Sequence, residues 1–211
     1  MIWQICISIV SLCICLPLFL YYKRNMHILL ASFFKLAGSL CALIPALIAA
    51  IRLDPRCWVC AAALMLYAVA DFVLEFHFML GAGIFLAGHI LNISFFLSLT
   101  PVSPIHVICL IGFCCFSALV FFRLRKHIKK HLPMFMIYGI SLVCLCASAL
   151  GCYSLHSVTG ILFAFGGSLF FMSDILIFRR LLILSDRYID WAIMISYYSS
   201  ILLFGIGCMY I

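Results

Sequence analysis

Two aspartates, Asp71 and Asp174, are the residues of this sequence whose type and surroundings most strongly indicate chemistry. Each lies inside an apolar stretch long enough to cross a lipid bilayer. A charged group near the bilayer centre costs at least about 2.5–3.5 kcal/mol, so such residues face the protein interior and usually serve a function. Two carboxyl groups in one buried site can differ in protonation, because burial and mutual repulsion keep one neutral while the other ionises. Such a pair could supply the acid and the base of one reaction.

Four more polar side chains lie at membrane depth and are predicted substrate contacts: Lys35, His89, Tyr197 and Tyr198. Each also has a purely structural interpretation. Lys35 could extend its ammonium group to the lipid headgroups, His89 could bond a neighbouring helix, and the tyrosines could be packing aromatics. For the aspartates, the structural alternative is an ion pair with Lys35, but one lysine does not neutralise two buried carboxylates.

The other acidic residues and the remaining histidines suggest no further site. Water is expected to solvate the carboxylates near loops and helix ends, which are Asp54, Glu75, Asp186 and Asp190. The remaining histidines show no HExxH spacing, so no metal and no cofactor is predicted. Most of the thirteen cysteines lie in apolar runs, where a thiol acts as a small hydrophobe. Cys57 and Cys60 form the only CxxC pair, and nothing nearby supports a redox role for it.

The composition predicts that these residues are positioned by an all-α, multi-pass membrane protein. Hydrophobic residues make up 68% of the 211 residues and charged residues only 9%, whereas soluble domains carry about 25% charged residues. So few charges cannot cover the surface of a globular protein of this size, so much of the surface must face lipid. The net charge of +7 indicates no nucleic-acid partner, because the basic residues lie in short loops. We expect one transmembrane domain over residues 1–211, surrounded by the lipids of the cell membrane, with the oligomeric state left open.

Apolar stretches of about 20 residues predict a bundle of about eight transmembrane helices. These stretches cover residues 2–22, 26–51, 57–76, 78–99, 103–122, 134–155, 157–184 and 188–211. Most breaks between them contain charged residues or proline. The breaks at residues 75–77 and 155–157 are weakly marked, which leaves seven or nine helices as alternatives.

The distribution of basic residues predicts the orientation in the membrane. The odd-numbered loops hold ten lysine and arginine residues, and the even-numbered loops hold two, Arg52 and Arg56. Cytoplasmic loops are enriched in these residues, so we expect both termini to be extracytoplasmic. Lys35, Asp71 and Asp174 then lie in the cytoplasmic half of the membrane, where they could form a site open to the inner leaflet.

The two halves of the sequence share a short pattern. Residues 66–71, which end in Asp71, are similar to residues 169–174, which end in Asp174, and the spacing is close to half the chain. This similarity suggests a parallel repeat of about residues 1–105 and 106–211.

Three blocks of residues, which together span most of the chain, form a recognisable set of motifs. The first block, residues 70–89, contains an aspartate followed downstream by Phe-x-x-x-His. The second, residues 167–174, reads Gly-x-x-x-x-x-Ser-Asp with a phenylalanine at the fourth position. The third is the tyrosine pair at residues 197–198. Lys35 is a weaker fourth point. In order and spacing these blocks resemble the YhhN family of membrane lysoplasmalogenases, whose motifs include Gly-Asp, Phe-x-x-x-His and Gly-x-x-x-Phe-x-x-Ser-Asp.

The sequence departs from the family pattern at several positions. Ala70 replaces the glycine before the first aspartate, and Asn92 stands where a tyrosine commonly follows the histidine. Ser199 and Ser200 follow the tyrosine pair in place of a glutamine. Because both aspartates are present, these departures bear on substrate preference rather than on the central chemistry.

The resemblance implies hydrolysis of the vinyl ether bond of a lysophospholipid substrate, which gives a fatty aldehyde and glycerophosphoethanolamine or glycerophosphocholine. Vinyl ethers hydrolyse by protonation of the β-carbon, and water captures the resulting oxocarbenium ion, which requires an acid and a nearby carboxylate. Asp71 and Asp174 would be this catalytic pair. The implied substrate contacts are Lys35, His89, Ser173, Tyr197 and Tyr198. The alternative is a proton-coupled transporter or lipid carrier that uses the same aspartates as a proton relay.

Overall fold

Eight helices make up the described part of the chain. The computed structural model describes residues 2–124, 132–182 and 187–211, and no strand occurs among them. The helices are α1 (Ile2–Arg24), α2 (Ile28–Arg52), α3 (Cys57–Leu74), α4 (Phe78–Leu99), α5 (Pro104–Leu124), α6 (Leu132–Gly151), α7 (Val158–Leu182) and α8 (Arg187–Gly207). Short 3₁₀ turns, Cys152–Leu155 and Cys208–Tyr210, follow α6 and α8, and α1 contains a π-helical stretch, Val10–Cys15. The predicted all-α class is confirmed.

Seven of the eight helices are long and apolar enough to cross a membrane. The remaining helix, α5, holds a shorter apolar stretch, Pro104–Val120, within its described residues. Large apolar side chains stay exposed on the outer faces of the helices, where lipid can replace water as the solvent. The chain is therefore a multi-pass membrane protein, and each of the eight predicted segments forms one helix.

The two weakly marked breaks are true helix ends. After α3, His77 adopts a non-helical backbone conformation with a φ of −138° and a ψ of 89°, and α4 begins at the next residue. Before α7, His156 adopts a φ of 49°, in the left-handed region that interrupts a helix. Over the described residues, these breaks therefore divide the chain into eight helices, seven of which qualify as membrane spans.

The predicted orientation rests partly on basic residues that lie outside the described ranges. These residues are Arg125, Lys126, Lys129 and Lys130. The extracytoplasmic placement of both termini stays a prediction, as does the parallel repeat of residues 1–105 and 106–211.

Most helices that are adjacent in sequence pack against each other, but α4 packs against α6 rather than α5, and α8 closes the bundle against α2. The centre is filled by fully buried aromatic side chains, among them Tyr67, Phe95, Phe163, Phe170 and Phe204. Gly205 of α8 lies directly against the backbone carbonyl of Ala42 in α2. This close approach depends on the missing side chain, as is common where membrane helices cross.

We expect Gly205→Ala to destabilise the protein by roughly 1–3 kcal/mol, the usual cost of overpacking. A Cβ atom at this position would overlap the carbonyl of Ala42, which cannot rotate away as a side chain can. Gly112→Ala is the matched control, because a Cβ atom there meets nothing within 4 Å. Thermal unfolding of the detergent-purified variants measures the effect. Equal stability of Gly205→Ala and the wild type would contradict the close contact.

Candidate active site

A large cavity lies inside the bundle and extends to the ends of α1, α3 and α7. Its volume is about 850 Å³, within the range of pockets that bind small molecules. All eight helices contribute lining residues, and most of these are apolar. Asp71 and Asp174 both line the cavity. The two predicted carboxyl groups, which are distant in sequence, therefore face one chamber.

Asp71, in the last turn of α3, is an ion-paired and hydrogen-bonded carboxylate. Its Oδ1 atom lies 3.4 Å from Nζ of Lys35 in α2, and only 2% of its side chain is exposed. Its Oδ2 atom accepts hydrogen bonds from the hydroxyl groups of Ser39 in α2 and Tyr197 in α8, the latter at 2.7 Å. Three donors thus replace water around Asp71, and the ionised carboxylate is the form that accepts from all of them.

Glu75, one helical turn after Asp71, extends this network to the end of the bundle. Its carboxylate lies 2.7 Å from Nζ of Lys23 and 3.2 Å from Nζ of Lys35. Burial alone would raise the pKa of Glu75, but the ammonium groups of Lys35 and Lys23 outweigh burial and hold this pKa below its ordinary value. The expectation that water solvates Glu75 is wrong, because two lysines take that place and its side chain is only 11% exposed.

The ion pairs of Glu75 predict a pH-dependent stability. Since the pKa of Glu75 is depressed in the folded protein, its contribution is fully present above the unfolded pKa of about 4.3 and is lost as pH falls through the folded pKa. We expect Glu75→Gln to lose roughly 1.5–3 kcal/mol at neutral pH, the usual range for hydrogen bonds to charged groups. In acid the variant should approach the wild type. Thermal unfolding in detergent from neutral to acidic pH tests this, and a constant difference would contradict it.

Asp174, in α7, has a different environment from Asp71. Its Oδ2 atom accepts a hydrogen bond of 2.8 Å from the hydroxyl of Tyr138 in α6. Among the side chains that the structure describes, no lysine, arginine or histidine nitrogen lies within 4.0 Å of its carboxyl oxygens. A buried carboxyl group without a cation is most stable as the neutral acid. The cavity therefore holds one carboxylate with a counterion and one carboxyl group without.

The structure brings four of the predicted site residues to the cavity, because Lys35 and Tyr197 line it together with the two aspartates. Tyr198 and Ser173 do not line it. The hydroxyl of Tyr198 donates to the backbone carbonyl of Lys35 at 3.1 Å, and the hydroxyl of Ser173 donates to the carbonyl of Ile193 at 3.2 Å. Both bonds join α8 to a neighbouring helix, so these two residues position the helices that carry the site.

His89 lies behind Tyr138 rather than on the cavity wall. Its Nδ1 atom is 3.0 Å from the hydroxyl of Ser141, and its ring centroid is 5.0 Å from that of Tyr138. The imidazole is fully buried and packs edge-on against Tyr67 and Phe170. In this arrangement His89 supports the tyrosine that bonds Asp174.

The sequence did not reveal three residues of this site: Ser39, Glu75 and Tyr138. Two of them carry a signal that spacing could have shown. Glu75 follows Asp71 by four residues and Ser39 follows Lys35 by four, so each pair shares one helix face. Tyr138 carries no such signal, because the inward face of an apolar helix is set by packing against its neighbours.

The arrangement fits a ligand with one polar end and one apolar body. Charged side chains lie where the cavity meets the helix ends, and apolar side chains from α4, α5 and α6 line the remainder. Asp71 and Asp174 face the cavity in different surroundings, one beside a cation and one without, and general acid–base chemistry requires two groups that differ in protonation.

A comparison with known proteins agrees with this description. The model of the YhhN family matches residues 30–207, which extend from α2 through α8 and include every predicted site residue. No curated protein and no solved structure matches the chain. Because the match covers most of its length, the chain belongs to the YhhN family.

Proposed function

We propose that this membrane protein hydrolyses the vinyl ether bond of lysoplasmalogens in the cell membrane. The products would be a fatty aldehyde and glycerophosphoethanolamine or glycerophosphocholine. The observation that carries the proposal is the pair of buried carboxyl groups in one cavity, one with a counterion and one without. Membership of the YhhN family supports the same class of function.

Asp174 is the proton donor in this proposal. Protonation of the vinyl ether β-carbon is the slow step, and it requires an acid that still holds its proton at neutral pH. Asp174 meets this requirement because it is buried and no described cation is bonded to it. Tyr138 fixes one carboxyl oxygen, which leaves the other oxygen to carry the proton towards the substrate.

Asp71 is the carboxylate that stabilises the oxocarbenium ion and accepts a proton from the attacking water. Its ion pair with Lys35 keeps it ionised, and the hydroxyl groups of Ser39 and Tyr197 hold its orientation. Water adds to the cationic carbon, and the resulting hemiacetal separates into the aldehyde and the glycerol hydroxyl group. Overall, one water molecule is consumed, and the proton left on Asp71 balances the one given up by Asp174. Two-carboxylate glycosidases follow the same logic.

Hydrolysis in deuterated water provides a direct test of the proposal. Purified protein is incubated with lysoplasmenylethanolamine, and the products are analysed by mass spectrometry. We expect a fatty aldehyde with one deuterium on the carbon next to the carbonyl, because the proton on Asp174 exchanges with solvent before it is transferred. The matched substrate is the saturated alkyl ether, which lacks the double bond and should remain intact.

The same experiment distinguishes the alternative function. A proton-coupled carrier would move the lipid in response to a pH gradient and return it with unchanged mass. Recovery of intact lysoplasmenylethanolamine after incubation with folded protein would therefore overturn the proposal.

A further inference from the structure

Four charged side chains surround the cavity where it reaches the helix ends, and we call this group the rim: Lys23, Glu75, Arg180 and Asp190. They come from four different regions of the bundle, at the ends of α1, α3, α7 and α8. Helix ends of this kind lie at the depth of the lipid headgroups. The chemistry proposed above uses none of the four directly.

The two cations of the rim are arranged to receive an anion. Lys23 and Arg180 both line the cavity, and each keeps 33% of its side chain exposed. A phosphate between them would gain attractive contacts with both cations. The guanidinium group of Arg180 also matches the geometry of phosphate oxygens.

The acids of the rim favour a ligand that carries a positive charge as well. Lys23 is paired with Glu75 at 2.7 Å, and Arg180 is paired with Asp190 at 3.2 Å, so the rim as a whole is neutral. The contact between Arg180 Nε and Asp190 Oδ1 lacks hydrogen-bond geometry, so this buried, ion-paired oxygen has no hydrogen-bond donor among the described contacts. A phosphate alone would place its charge beside two carboxylates, whereas a zwitterion supplies its own cation to one of them.

We infer that the rim is the binding site for a zwitterionic lysophospholipid headgroup. The phosphate lies between Lys23 and Arg180, the ammonium group contacts Asp190, and the hydrocarbon chain occupies the apolar part of the cavity. This inference rests on the proposed function and names the headgroup site of its substrate. Arg180 comes after Asp174 in α7, and the helical rise of 1.5 Å per residue places the two residues about 9 Å apart along the helix axis. That distance is similar to the length of the glycerol link between the phosphate and the vinyl ether.

Binding of saturated alkyl ether lipids tests the rim without requiring hydrolysis. Three probes with the same chain are compared on the full-length wild-type protein in detergent: alkyl-glycerophosphoethanolamine, alkyl-glycerophosphate and alkylglycerol. We expect the zwitterionic probe to bind most tightly and alkylglycerol roughly tenfold or more weakly, because it loses the charge-assisted bonds to Lys23 and Arg180. Glycerophosphoethanolamine, which has no chain, should not compete at the same concentration.

Two substitutions assign the headgroup contacts. Arg180→Gln should weaken binding of the zwitterionic probe roughly tenfold and leave alkylglycerol unchanged. The matched control is Arg179→Gln, because Arg179 is exposed and does not line the cavity. Asp190→Asn should weaken binding of the zwitterionic probe but strengthen binding of alkyl-glycerophosphate, since a repelling carboxylate is removed. Misfolding cannot produce these opposite changes.

Equal affinities of the wild type for the zwitterionic probe and alkylglycerol would overturn the inference. So would an Asp190→Asn variant that binds both phosphate-containing probes with equally reduced affinity. The measurement also separates the two proposals. Probe binding through the rim without release of aldehyde from the vinyl ether would overturn the hydrolase alone, whereas aldehyde release without dependence on the rim would overturn the headgroup site alone.

Discussion

Asp174→Asn is expected to lower the rate of aldehyde release from lysoplasmenylethanolamine by about 10²–10⁴-fold, the usual contribution of a positioned acid. The asparagine amide has nearly the shape of the carboxyl group and can still accept the hydrogen bond from Tyr138, but it has no proton to transfer to carbon. Affinity for the saturated alkyl ether probe should stay close to that of the wild type. The measurement is the rate of aldehyde release by equal amounts of folded enzyme.

Asp71→Asn should cause a loss in the same range, because the amide neither stabilises the cationic intermediate nor accepts a proton from water. Asp54→Asn is the matched control, since Asp54 lies in the turn between α2 and α3 and does not line the cavity. Tyr138→Phe should reduce the rate only about tenfold, because it removes one hydrogen bond and keeps the acid. Full activity in both Asp71→Asn and Asp174→Asn would refute the assignment of the carboxyl pair.

Lys35→Met is expected to destabilise the protein by about 3–5 kcal/mol, the typical cost of removing one partner of a buried ion pair. Methionine fills a similar volume, so the loss comes from charge rather than from a cavity. Asp71, whose side chain is 2% exposed, would lose the ammonium group at 3.4 Å, and Glu75 would lose one of its two lysines. Thermal unfolding of the detergent-purified protein measures this loss.

The double variant Lys35→Met/Asp71→Asn separates structure from catalysis. Removing the unpaired carboxylate should restore much of the lost stability, because a buried ion pair can be replaced by neutral groups at little cost. Activity should not return, since the carboxylate that we propose activates water is absent. A double variant that is no more stable than Lys35→Met would show that Asp71 does not carry the buried charge.

The helices and the two aspartates could be predicted from the sequence because the bilayer imposes simple rules. Apolar stretches of sufficient length marked all eight helices, including α5, and the cost of burying charge singled out Asp71 and Asp174. The true helix ends at residues 75–77 and 155–157 were harder to identify. His156 leaves the helix with a positive φ, although neither glycine nor proline marks the position.

The contacts of the site depend on how each helix is rotated, and an apolar helix does not encode its rotation by a polar face. Ser173 and Tyr198 were predicted to contact substrate, yet their hydroxyl groups bond backbone carbonyls of neighbouring helices. Tyr138, which bonds Asp174, lies in an apolar stretch that gave no sign of its direction. Glu75 was expected to be solvated by water because it lies at a helix end, whereas it forms ion pairs with Lys23 and Lys35.

The ion pair between α2 and α3 has a consequence for biogenesis. Lys35 is synthesised before Asp71 and Glu75, so a solitary α2 would bring an uncompensated cation into the insertion machinery. Because only a short turn separates the two helices, they can leave the translocon laterally as a neutralised hairpin. Tyr197, which completes the surroundings of Asp71, is synthesised only after α1 to α7. The cavity therefore stays unfinished until α8 has joined the nascent bundle.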